Sequence, residues 1–331
     1  VNPAAVAPPL IDGHGRVVEY LRLSVTDRCD MRCTYCLPPG FKGFTARDHL
    51  LTFDEIERLV SVLARLGLRR VRLTGGEPLL RRDLPALTAR IAALPGVEDL
   101  SLSTNGSRLA DFAAPMRRAG VRRLNVSLDT LDRTRFACLT GRDALPDVLR
   151  GLDAAALAGF APIKINMVVT GDTGEPEIDS MAAYCLARGF ILRLIETMPM
   201  GAGARAAGYV DLAVVRARLR ERFDLVDGAI PGGGPARYLV AKDRRFSIGF
   251  ITPRSQHFCS TCNRIRVTAD GMLHLCLGRE ERVDLRTLLR AGADEAQLAA
   301  AVRDGLRRKP AQHAFNVPAA HQLRVMAQTG G

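Results

Sequence analysis

Six short runs of alternating apolar residues, five of them followed by a longer amphipathic stretch, constrain this chain more than any other feature. The runs are residues 20–26, 70–74, 99–104, 122–128, 163–169 and 191–196, and a period of two over so few residues predicts strands. The stretches between them, 54–66, 84–94, 108–119, 145–158 and 177–187, carry apolar residues at helical spacing. Thr52 stands as an N-cap before the acidic first turn Asp54-Glu55. Gly67, Gly120, Gly159 and Gly189 punctuate helix ends, where the left-handed conformation is cheapest for glycine. Strand–helix repetition of this kind requires parallel strands joined by right-handed crossovers. Eight such steps would close a barrel. Six strands predict an α/β fold built on a partial (β/α)6 TIM-like barrel, with its chemistry at the C-terminal ends of the strands.

The texture changes after Met200. Gly201-Ala202-Gly203-Ala204 leads towards a helix at 212–222, Pro231-Gly232-Gly233-Gly234-Pro235 is a loop, and short β-like runs follow at 237–241, 246–251, 264–268 and 272–275. Helices are expected at 285–290 and 295–307. The chain divides accordingly into a mobile N-terminal arm (1–18), a barrel (19–200) and a smaller α+β C-terminal region (201–331) that closes the open side. Residues 1–9 lack the charged start and apolar block of a secretory signal. No run reaches the ~18 apolar residues of a membrane span. A cytoplasmic protein without membrane contact is expected.

The net charge of +12 raises nucleic acid as a partner, but the arginines are spread over many helices, aromatic residues make up 5% and tryptophan is absent. Stacking platforms for single strands are therefore scarce, and no nucleic-acid partner is expected. Eight cysteines fall into two triplets and two singles, which is not the pattern of a disulfide framework. Cys138 and Cys185 read as packing residues on helices. Cys29, Cys33 and Cys36 are spaced C-x3-C-x2-C directly after the first strand. Three thiolates on one loop suit a soft metal centre: a zinc that borrows a distant fourth ligand, or an iron–sulfur cluster with one iron left open. Cys259, Cys262 and Cys276 form a second set, C-x2-C-x13-C, for which zinc with His257 or His274 is an equal reading on spacing alone.

The first triplet, with Tyr35 before its third cysteine, resembles the signature of the radical S-adenosylmethionine superfamily. The remaining motifs narrow the resemblance: Arg-Leu-Ser-Val-Thr-Asp before the triplet, Arg-Leu-Thr-Gly-Gly-Glu-Pro at 72–78, Ser-Thr-Asn-Gly at 103–106, Asn-Val-Ser-Leu-Asp at 125–129, Cys-Asn-Arg-Ile-Arg at 262–266 and the terminal Gly-Gly. In this order they are similar to the GTP 3',8-cyclase family, which opens molybdenum cofactor biosynthesis. The resemblance implies two [4Fe-4S] clusters, each with one iron not held by protein, on Cys29/Cys33/Cys36 and on Cys259/Cys262/Cys276. It implies S-adenosylmethionine contacts at Tyr35, Gly76, Glu77, Ser127 and Met198, and GTP contacts at Arg22, Arg72, Ser103, Lys164, Arg264, Ile265 and Arg266. Ser103 departs from the threonine common there and keeps a hydroxyl.

Physical chemistry agrees with the cations, since a triphosphate needs several and arginine is bidentate to phosphate oxygens. Alternation along Ile163-Lys164-Ile165-Asn166-Met167 puts Lys164 and Asn166 on one face, and an inward lysine is costly unless it meets an anion. The implied activity is conversion of GTP to 3',8-cyclo-7,8-dihydro-GTP. The implied partners are a flavodoxin- or ferredoxin-like electron donor, a cyclic pyranopterin monophosphate synthase acting next, and a second copy of the chain. Two alternatives stand beside this: a radical S-adenosylmethionine enzyme with an auxiliary cluster that modifies a peptide or another small substrate, and a non-enzymatic zinc or nucleic-acid module.

Overall fold

The strands assemble into one twelve-stranded sheet in the order β12-β11-β10-β1-β2-β3-β4-β5-β6-β9-β8-β7. The computed structural model describes residues 9–37, 40–230, 232–317 and 324–330. The central strands are β1 (Tyr20–Ser24), β2 (Arg70–Thr74), β3 (Asp99–Thr104), β4 (Arg123–Ser127), β5 (Ile163–Val169) and β6 (Ile191–Glu196). All pair in parallel with their sequence neighbours. Helices α1 (Phe53–Arg65), α2 (Leu84–Ala92), α3 (Leu109–Arg118), α4 (Arg133–Thr140), α5 (Leu145–Leu157) and α6 (Glu175–Arg188) make the crossovers.

Local chemistry fixes the element ends. Thr52 and Glu55 form a reciprocal capping box at the start of α1, which satisfies two orphan backbone donors. Gly67, Gly120, Gly159 and Gly189 all have positive φ. Along β2, Val71 and Leu73 are fully buried against the helices, while Arg70 and Arg72 turn the other way. Burial of such a side chain contributes roughly 1.5–3 kcal/mol. Helix α4 was not expected: it buries only Phe136 and Thr140, so apolar periodicity is missing, and its bounds come from the Asp132 side chain on Arg135 N and from left-handed Gly141.

The C-terminal strands do not form a layer of their own. β7 (Leu225–Gly228), β8 (Arg237–Ala241) and β9 (Ser247–Ile251) extend the sheet beyond β6, and β9 pairs with β6 in parallel. β10 (Arg264–Val267) lies parallel to β1, followed by antiparallel β11 (Met272–His274) and β12 (Arg282–Asp284). The sheet is thus a partial TIM-like barrel widened at both edges by strands from the end of the chain. Helices α7 (Gly201–Ala206), α8 (Leu212–Arg222), α9 (Leu285–Arg290), α10 (Glu295–Arg307) and α11 (Met326–Thr329) complete it.

Residues 1–8 of the expected arm, and Gly331 of the diglycine, lie outside the described residues. Residues 9–18 are packed: Leu10 and Val18 are fully buried, and Leu10 N donates to Leu66 O. Cys185 is buried in the core. Cys138 is exposed, because α4 covers so little. No helix among the described residues is long and apolar enough to cross a membrane.

Candidate active site

The loops leaving the C-terminal ends of the parallel strands surround a cavity of about 300 Å³. Cys29, Cys33 and Cys36 line it from the loop after β1, and Gly75 and Gly76 from the loop after β2. Those two glycines are sterically required. A Cβ on Gly75 would sit 2.4 Å from Thr26 O, and one on Gly76 would sit 2.2 Å from Arg28 O. The close approach lets Gly76 N donate to Thr26 O and Glu77 N to Arg28 O. The glycine pair therefore seats the cysteine loop directly.

Glu77 is fully buried beneath that contact and does not line the cavity. Its carboxylate accepts from Leu79 N, Thr104 Oγ1 and Asn105 N, and burial pushes its pKa up to about 7. Ser103, Ser127 and Met198 all line the cavity, as does Tyr35, whose hydroxyl donates to Asp129 Oδ2 at 2.5 Å. Ile265 has its side chain in the core, 1% exposed.

The cations are brought together by register. Arg266 on β10 pairs with Arg22 on β1, which pairs with Arg72 on β2. Residues paired across neighbouring parallel strands share a face, so the three guanidiniums form one inward row. Arg264, two residues along β10, joins them in the cavity. Their electrostatics are unfavourable without an anion. Burial and then Arg264 depress Arg266 to about 10, while burial, Arg266 and Arg72 hold Arg22 well below the ordinary guanidinium range. The buried atoms Tyr20 Oη and Arg264 Nε have no hydrogen-bond partner among the described residues. Gly330 O accepts from Arg266 Nη1 at 2.6 Å and from Arg22 Nη2 at 3.2 Å, so the end of the chain reaches the same cations.

Lys164 lines a second cavity, of about 320 Å³, that shares Tyr20, Arg72 and Arg193 with the first. It is 7% exposed, and its ammonium donates to Tyr238 Oη at 3.3 Å. Burial, then Arg193 and Arg123, bring its pKa down to about 7. Arg193, which the sequence reading missed, bridges the two cavities. It is buried, donates to Asn166 Oδ1 at 2.9 Å and also to Asn125 Oδ1. The signal was present as an arginine inside the apolar run Ile191-Leu192-Arg193-Leu194-Ile195, the same pattern that singled out Lys164.

The second cysteine triplet adjoins the first cavity through its neighbours, since Phe258, Arg264 and Leu277 all line the wall. Cys259 begins a 3-10 turn, and Cys262 N donates to Cys259 O. Burial raises the Cys276 thiol, against the backbone of Gly278 and the charge of Lys309, which lower it. Burial would also raise Cys262, but Lys309 and Arg264 outweigh it and lower its pKa. His274, a possible zinc ligand, accepts from Arg324 Nη1 at 2.6 Å, and His257 stacks edge-on against His313. Among the described residues no three His, Cys, Asp or Glu side chains are gathered tightly enough to clasp a single metal ion. In the first triplet burial pushes Cys29 up to about 11 and Cys36 to about 12. Three half-buried thiols that line one cavity fit a positively charged iron–sulfur core, which would restore the thiolate form.

Comparison with known proteins bears on this arrangement. Residues 23–185 match the model of the radical SAM superfamily, and residues 190–315 match Molybdenum Cofactor Synthesis C. The GTP 3',8-cyclase of Paracoccus denitrificans is 47% identical, covering 98% of this chain and 96% of that one. The chain belongs to the GTP 3',8-cyclase family. GTP 3',8-cyclase 1 of Pseudomonas aeruginosa is 45% identical over 97% of this chain and 99% of its own. Membership of the radical SAM superfamily carries with it a [4Fe-4S] cluster and S-adenosylmethionine. Among solved structures, Streptococcus suis SuiB bound to precursor peptide SuiA superposes with a TM-score of 0.62. That match covers 95% of this chain and 77% of that one at 13% identity, a likeness of fold alone.

Proposed function

We propose that this chain is a GTP 3',8-cyclase that converts GTP to 3',8-cyclo-7,8-dihydro-GTP, the first step of molybdenum cofactor biosynthesis. One observation carries the reading: the first cysteine triplet and the in-register row Arg266, Arg22 and Arg72 face a single cavity. A cluster held by Cys29, Cys33 and Cys36 supplies, when bound, the electron that releases a 5'-deoxyadenosyl radical from S-adenosylmethionine. Tyr35, Gly76, Ser127 and Met198 border the S-adenosylmethionine site, and Glu77 holds it from beneath through the loops it bonds. Arg22, Arg72, Arg264 and Arg266 bind the triphosphate, with Lys164 at the far end of its path past Arg193. Ser103 offers a hydroxyl to the nucleotide, and Ile265 lies between the two β10 arginines and contributes backbone only.

Positioning does most of what the protein adds, because ribose C3' must lie within reach of the radical, and water and oxygen must be kept out. The mutual repulsion of the guanidiniums supports the assignment, since a polyanion would relieve it. Cys259, Cys262 and Cys276 would hold a second [4Fe-4S] cluster, which would supply an open iron as a Lewis acid for the guanine ring. The engagement of His274 by Arg324 favours this over zinc. We further infer the domain division at about residue 200, cytoplasmic residence, a homodimer, a flavodoxin- or ferredoxin-like electron donor, and a cyclic pyranopterin monophosphate synthase as the next enzyme.

Oxygen-free incubation with GTP, S-adenosylmethionine and a strong reductant, followed by chromatography and mass spectrometry, tests the activity. The expected product has the mass of GTP and elutes apart from it, because one hydrogen leaves C3' and one electron and one proton return. 5'-Deoxyadenosine should accumulate in step. Deoxyadenosine without loss of GTP would overturn the reading.

A further inference from the structure

Lys309 is 2% exposed, a rare position for a lysine, and it follows directly on the C-terminal turn of α10. An ammonium has three N–H donors and no acceptor. Three hydrogen bonds are recorded for it: to Leu275 O at 2.5 Å, to Arg264 O at 3.2 Å and to Cys262 Sγ at 3.6 Å. Two partners are carbonyls flanking the second triplet and the third is one of its sulfurs. A buried cation needs a counter-charge, and among these partners only Cys262 can provide one, as a thiolate.

The segment is fixed from the other side by Arg16, itself buried and paired with Asp12. Arg16 donates to Pro310 O, to Ala311 O and to Cys259 O at 2.7–2.9 Å. One buried arginine thus ties the residues after Lys309 to the first cysteine of the same triplet. Neither cation takes part in the substrate row described above.

From this geometry we infer that Lys309 is a positioning residue for the second cluster, a fixed hydrogen-bond donor and counter-charge at Cys262 that raises the cluster's reduction potential. The inference rests on the proposed second cluster. Reduction adds negative charge, and a donor at a ligand sulfur stabilises the reduced form, which is how net charge and hydrogen bonding set such potentials.

The test is an anaerobic redox titration of the reconstituted full chain, followed by electron paramagnetic resonance, for wild type, K309M and K309R. In K309M the ratio of reduced to oxidised second cluster at a given potential should fall about tenfold, a shift of about 59 mV for a one-electron couple. The first cluster should titrate unchanged, and K309R should stay close to wild type. A K309M chain that holds only the first cluster, with the second restored in K309R, would also support the inference. Two clusters titrating as in wild type in K309M would overturn it. Wild-type protein holding about four irons, not about eight, would remove the second-cluster reading itself.

Discussion

Replacing Lys164 by methionine keeps the aliphatic stem and removes the charge, and the effect on GTP affinity can be worked from the geometry. The ammonium is buried, its recorded partner is the Tyr238 hydroxyl, and its pKa sits at about 7. A charge-assisted hydrogen bond to phosphate contributes about 1.5–3 kcal/mol. At pH 7 roughly half of the free lysine is neutral, which takes back about 0.4 kcal/mol. The net loss in K164M is then about 1–2.5 kcal/mol, or roughly 5- to 70-fold in Kd.

The pH dependence has a definite sign. Bound triphosphate raises the Lys164 pKa above its free value, so binding takes up a proton. Wild-type affinity is fully present below pH 7 and falls as pH rises above it, by up to about tenfold per unit. K164M should lack this slope between pH 7 and 9. Anaerobic calorimetry in buffers of different ionisation enthalpy measures both affinity and protons taken up. Wild-type affinity and slope in a K164M chain with its iron intact would refute the phosphate assignment.

Replacing Cys29, Cys33 or Cys36 by alanine should remove about half of roughly eight irons and abolish deoxyadenosine formation. The same change at Cys259, Cys262 or Cys276 should remove the other half and stop GTP consumption, and chromatography separates the two phenotypes. Gly76→Ala places a Cβ 2.2 Å from Arg28 O, so the cysteine loop must move. We expect about 1–3 kcal/mol of destabilisation, read by thermal unfolding, together with loss of iron from the first triplet.

The barrel strands were legible because β2, β3, β5 and β6 obey a period of two and stop at glycine or polar punctuation. The edge strands were not. Three of the four residues of β7 are exposed, so no burial pattern marks it, and only pairing with β8 makes it a strand. The place of β10 beside β1 was equally hidden, because that pairing joins residues far apart in sequence. Local pattern gives Arg264 and Arg266 a face. Only register adds them to Arg22 and Arg72.

Lys309 shows the same limit from the opposite direction. In Arg307-Arg308-Lys309 it reads as one more solvated cation at a helix end. Its burial depends on β10, β11 and the Arg16 strap converging there. Arg193 could have been found from its own strand, since a charge within an apolar run faces either an anion or a cost.

The pairing of β1 with β10 sets when during synthesis this molecule can assemble its row of arginines. Its first two hundred residues contain the first cysteine triplet, but Arg264 and Arg266, which share the cavity with it, arrive only with β10. A chain still leaving the ribosome therefore completes its cysteine triplet before it completes its row of cations. Gly330, which touches the same row, follows later still.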